Sequence, residues 1–167
     1  FIDTPGHARH HHCIWDEASR GWFTGDTFGL SYREFDHPER GAWVMPTSTP
    51  IQFEPEALRA SVLRLLERKP QWMYLTHYGR VGDVDRLAAL FLSLLEETVT
   101  LSLAAPSDSG RHQALKQGLD ALYRKSLAQH GVQPTNTAEL LELDVELNAQ
   151  GIAAWLDRAS KKSAKAG

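Results

Sequence analysis

A single cysteine, Cys13, is all the thiol that this chain of 167 residues carries. No intrachain disulfide can form, and no cysteine cluster can bind a metal. A reducing, cytoplasmic setting is the simplest expectation for such a chain. An excess of charge of one sign is also lacking: the formal net charge is -3 and the pI about 6.2, which leaves no electrostatic footprint for nucleic acid. No uninterrupted apolar run reaches about 18 residues, so no membrane span is expected. Nor does a basic segment followed by an apolar one open the chain, as a secretory signal would. The first residue is Phe1 and not Met, which reads as a start in mid-domain.

What is present suits a folded domain. Apolar residues make up 42% and charged residues 23%, which argues against wholesale disorder. Up to about residue 82 the texture is strands and loops with one helix. Phe1-Ile2-Asp3 reads as a strand end, and His12–Trp15 and Gly21–Thr24 read as two strands of a hairpin around the polar segment 16–20. Residues 30–53 contain Pro38, Pro46 and Pro50 and little periodicity, which predicts a long loop. Pro55 suits the first turn of a helix running to about Lys69, with Leu58, Val62, Leu65 and Leu66 on one face. Trp72–Leu75 reads as a short buried strand.

From Asp83 onward the pattern is helical. A Leu-rich segment over about 84–104 is apolar on more than one face and predicts a largely buried helix. A second helix is expected over about 109–129, with Leu115, Leu119, Leu122 and Leu127 as its stripe and Gly131 as its C-cap. A third is expected over about 137–159, with Asn136 and Glu139 as a capping box. The expected organisation is an α/β unit over 1–82, a helical region over 83–160 and a basic tail over 161–167, where Lys161, Lys162 and Lys165 cluster.

Three short segments carry chemistry. Thr4-Pro5-Gly6-His7 opens a histidine-rich run, Gly25-Asp26-Thr27 follows the second hairpin strand, and Thr76-His77 follows the Trp72–Leu75 strand. Imidazole and carboxylate are the side chains that hold borderline divalent metals such as zinc. Each of the three lies at the end of a short apolar run.

In this order the segments resemble the C-terminal half of the metallo-β-lactamase superfamily, in the branch of the glyoxalase II type hydrolases. The resemblance covers about half of the chain. It implies the second half of an αββα sandwich, followed by a helical C-terminal region. It implies two divalent metal ions, with zinc expected and iron or manganese as alternatives. His7 is then a ligand of the first metal, Asp26 the carboxylate bridging both, His77 a ligand of the second, and His11 an outer-shell partner. The nucleophile implied is a metal-bound hydroxide and not a side chain. The implied reaction is hydrolysis of a small-molecule ester, thioester or lactone.

The sequence departs from that family at one point. The motif His-x-His-x-Asp-His, which supplies four ligands there, is absent: His10 and His12 have the His-x-His spacing, but Ile14 and Trp15 stand where Asp and His are required. Three candidate ligands for two metals fall below the three per ion usual in catalytic zinc sites. The chain alone is therefore expected to bind metal weakly and to be inactive, as a fragment of a binuclear hydrolase. Two other readings stay open: a non-catalytic structural or dimerising half-domain, whose open sheet face packs on a second copy, and an iron-dependent oxidative member of the same fold.

Tyr32, Arg33, Trp43 and Arg80 are candidate substrate contacts in nearby loops. His10 and His12 are read as structural. Cys13 is read as a buried core residue.

Overall fold

The computed structural model describes residues 1–107, 109–132 and 137–166. It is a mixed α/β structure. Five strands, β1 (Ile2–Asp3), β2 (His12–Asp16), β3 (Gly21–Gly25), β4 (Trp72–Leu75) and β5 (Arg80–Val81), form one sheet in the order β1-β2-β3-β4-β5. Four helices complete the fold among the described residues: α1 (Pro55–Leu66), α2 (Val84–Ala104), α3 (Arg111–His130) and α4 (Thr137–Ala166).

The expected hairpin is β2–β3, antiparallel, with Ile14 opposite Phe23 and Trp15 opposite Trp22. The β3–β4 pair is parallel and the other neighbours are antiparallel. A parallel pair needs a crossover, and residues 26–71 provide it, ending in α1. These directions decide where the site lies. Strands β1, β3 and β4 all run the same way, so the loops that follow them emerge at one end of the sheet. Those are the loops carrying His7, Asp26 and His77.

Side chains alternate across the sheet. Cys13, Trp22, Met73 and Val81 face inward and are buried. The Trp22 indole N–H donates to the Leu65 carbonyl of α1 at 3.0 Å, which fixes that helix on the inner face. One cluster of buried apolar side chains runs from there through Phe28, Trp43 and Phe91 to Leu141 and Ile152 of α4. The other face of the sheet is open. Ile14 and Phe23 are each 50% exposed, Phe1 is 91% exposed, and Phe23 stacks on Tyr74 at 4.6 Å.

Several sequence expectations need adjusting. Residues 30–53 form a connection with only one 3-10 turn, Arg33–Phe35, but much of it is core: Trp43, Val44 and Met45 are fully buried. Bridges between Leu30 and Met45 and between His37 and Gly41 replace regular pairing. Helix α1 ends at Leu66, and Lys69 beyond it takes a left-handed conformation (φ 50). Strand β5 had no counterpart in the sequence reading.

The second helix is one-sided where burial on several faces was expected: Leu87, Phe91 and Leu94 are buried while Ala89, Ser93 and Leu103 are exposed. By length and composition it is also long and apolar enough to cross a membrane. An unbroken-run criterion misses it because Glu96 and Glu97 interrupt its apolar sequence. Helix α3 ends as expected, at Gly131 (φ 88), whose N–H bonds the Ala128 and Leu127 carbonyls. Helix α4 continues to Ala166, past the expected end. Asn136, the expected N-cap, lies outside the described residues.

Candidate metal centre

The Thr4–His7 turn is built against α1. Gly6 has φ 137, and a Cβ placed on it would stand 2.2 Å from the Leu58 main chain. Only glycine lets the turn approach the helix so closely. The Glu54 N–H donates to the Gly6 carbonyl at 2.8 Å, and the Ser61 hydroxyl donates to the Pro5 carbonyl at 2.7 Å. The turn after β3 has its own glycines, Gly25 (φ 54) and Gly29 (φ 72), with the Gly29 N–H on the Asp26 carbonyl. A Cβ on Gly25 would meet the His11 ring at 3.2 Å, so this glycine also leaves room for that imidazole.

The threonines of the two motifs tie the turns together. Thr4 and Thr27, both fully buried, share a hydroxyl hydrogen bond of 3.0 Å. The Thr4 N–H donates to the His11 carbonyl at 2.9 Å. Cys13 lies beneath them with its sulfur 3.2 Å from the Thr4 hydroxyl, and burial raises its thiol pKa. This is the core position expected for it.

Around Asp26 three imidazoles converge. Asp26 Oδ2 lies 3.6 Å from His7 Nε2 and 3.8 Å from His11 Nε2, and Oδ1 lies 3.6 Å from His77 Nε2. His7 Nδ1 lies 2.9 Å from the Thr47 carbonyl. A carbonyl can only accept, so Nδ1 carries the proton and Nε2 presents its lone pair toward Asp26. Burial lowers the pKa of His7, with the Thr47 carbonyl and Asp26 acting in the opposite direction. Burial, then the neighbouring His7, lowers that of His11. Both shifts favour the neutral ring, the form that ligates.

Two polar atoms here, His11 Nδ1 and Asp26 Oδ1, are buried without a hydrogen-bond partner. Buried polar atoms are rarely left so. Ligand atoms of His7, His11 and Asp26 all lie within 4.8 Å of one another. An orphaned carboxylate oxygen and a compact imidazole–carboxylate set fit a divalent cation.

The remaining candidates are placed differently. His10 and His12 are exposed. The Tyr32 hydroxyl donates to Asp144 Oδ2 of α4 at 2.5 Å. The Arg33 guanidinium bonds the Ser31 carbonyl and hydroxyl and pairs with Asp36. Trp43 is fully buried with its N–H on the Ser126 hydroxyl, so it is a packing residue and not a substrate contact. Arg80 stacks over Trp72 at 4.0 Å, and its strand partner Tyr74 lies on the open sheet face.

Thr47 contributes a main-chain carbonyl, which leaves no side-chain signal in the sequence. Asp144 was not among the candidates, although a signal exists: Leu141, Asp144, Val145, Asn148 and Ile152 share one helical stripe, so a carboxylate occupies a core register.

No protein-family model matches the chain, and neither does any curated protein. Among solved structures, it is similar to an archaeal metallo-β-lactamase superfamily protein from Sulfolobus tokodaii, with 23% sequence identity and a TM-score of 0.47. The match covers 90% of this chain and 44% of that one. The chain thus spans less than half the length of the protein it resembles.

Proposed function

We propose that this chain is part of a metal-dependent hydrolase acting on an ester, thioester or lactone, with Asp26 between two metal positions. The observation that carries this reading is the division of the Asp26 carboxylate. One oxygen faces His7 and His11 and the other faces His77. His11 stands about as close to the carboxylate as His7, so it is read here as a donor and not as an outer-shell partner.

His7, His11, Asp26 and His77 would hold a divalent ion, zinc foremost, which when bound would supply a Lewis acid and a more acidic coordinated water. The chain's own residues supply the rest. The Thr47 carbonyl holds His7 in one tautomer and orientation. Burial favours the unprotonated form of His7 and His11. Asp26 contributes the negative charge that lets two cations share one site.

The fold reading that accompanies this function is the second half of an αββα sandwich. The open face bearing Ile14, Phe23 and Tyr74 is the kind of surface that a second sheet layer covers. The same face favours the rival reading, a non-catalytic or dimerising half-domain.

Metal analysis with a panel of ester, thioester and lactone substrates, on the full-length protein, separates the two. Bound zinc with turnover that is lost in Asp26→Ala supports the hydrolase. A folded, metal-free and inactive full-length protein that self-associates supports the rival.

A further inference from the structure

Asp144 sits at a core position of α4 and is buried. A carboxylate there must find a partner or neutralise. Its partner is the Tyr32 hydroxyl, 2.5 Å from Oδ2. The Tyr32 ring in turn lies on the Tyr78 ring, with centroids 4.4 Å apart and planes 29° from parallel. Tyr78 directly follows His77 and has φ 73, a left-handed conformation unusual for a residue with a Cβ. With Gly79 (φ 93) it forms the turn between β4 and β5.

That turn needs a side anchor. Its main chain is bracketed by the Leu75 N–H on the Gly79 carbonyl at 3.1 Å and the Thr76 N–H on the Gly25 carbonyl at 3.3 Å. His77 and Tyr78 lie between these two bonds, and the His77 side chain is 54% exposed. The Tyr32 ring is what Tyr78 leans on.

We propose that Asp144 is a positioning residue for the His77 arm of the site, acting through the Tyr32 hydroxyl and the Tyr32–Tyr78 stack. The helical region thereby helps to set the metal-site geometry. The inference rests on the reading of His77 and Asp26 as metal-holding residues. An apolar side chain at 144 would fill the same stripe without desolvating a carboxylate. What the carboxylate adds is direction: it selects one orientation of the Tyr32 hydroxyl, and hence of the ring on which Tyr78 lies.

The test uses the metal-free full-length protein and its Asp144→Asn, Tyr32→Phe and Tyr78→Ala variants, with the histidine ring protons followed by NMR at neutral pH. Tyr78→Ala removes a ring 6.1 Å from that of His77 and so marks the His77 signals. Tyr32→Phe keeps the ring against Tyr78 and drops only the hydroxyl, so it reports on the Asp144 contact should Asp144→Asn fail to fold. The expected result is that His77 resonances shift and broaden in each folded variant while those of His7 and His11 stay in place. In a cobalt titration of the same proteins, affinity at the His77 position falls by about tenfold or more, the usual effect of removing an outer-shell support. Unchanged His77 resonances in folded Asp144→Asn or in folded Tyr32→Phe would overturn the proposal. A wild-type protein that binds no cobalt would overturn the metal reading instead, and the metal-free spectra would still decide the positioning role.

Discussion

Thr4 and Thr27, each from a different motif, are hydrogen-bonded to one another at 3.0 Å in the buried floor of the site. The bond ties the turn bearing His7 to the turn bearing Asp26, so each threonine belongs to its motif for a geometric reason. Thr27→Val keeps the shape and removes the hydroxyl, leaving Thr4 with its Cys13 contact. We expect a loss of about 1 kcal/mol in urea denaturation, the typical net value of a buried neutral hydrogen bond. Zinc affinity should fall as well, because the two arms are then free to shift. Unchanged zinc affinity in Thr27→Val would show that the floor does not govern the site.

Gly6 leads to a sharper expectation. Its left-handed φ and the 2.2 Å approach of the Leu58 main chain leave no room for a methyl group. Since main chain cannot step aside as a long side chain can, Gly6→Ala should destabilise by more than about 2 kcal/mol. Thermal denaturation checks this, and a variant as stable as the parent would contradict the packing of this turn on α1.

Burial of Cys13 predicts chemical inertness. Its thiol is fully buried and its pKa is raised by desolvation, so little thiolate forms at neutral pH. A thiol reagent such as dithionitrobenzoate should titrate it only after unfolding. Fast labelling of the native protein would place Cys13 elsewhere.

His130 gives the expected response to acid. Burial is the first cause of its lowered pKa, the nearby Arg86, His37 and Arg40 add to it, and the Gly41 carbonyl opposes it. A folded-state pKa below the ordinary 6.5 means that the unfolded chain takes up the proton first as pH falls. The stabilising difference is therefore complete above that value and is lost as pH drops below it. His130→Gln should show a smaller fall in Tm between about pH 7 and about pH 5 than the parent does. An identical fall in both would remove His130 from the acid response.

The sequence was most informative where a residue type is forced by local geometry. Pro55 marks the first turn of α1 and Gly131 the end of α3. The alternation in His12–Asp16 and Gly21–Gly25 discloses the hairpin. The residues around Asp26 were legible because glycines and threonines at turn positions bracket them. Legibility failed where long-range packing decides. Trp43, Val44 and Met45 have no periodicity because they belong to no regular element, yet they are core. Strand β5 has two residues and needs β4 to exist at all. The Thr47 carbonyl is visible only in three dimensions. Asp144 reads as one more helix carboxylate until its register with Leu141 and Val145 is noticed.

Metal stoichiometry of the full-length protein before and after Asp26→Ala decides whether Asp26 joins two metal positions. The parent should carry about two equivalents of zinc or a related divalent ion, as dinuclear sites do. The folded variant should lose both together, because each carboxylate oxygen serves a different side of the site. A folded Asp26→Ala protein that keeps the parent's metal content would contradict the account.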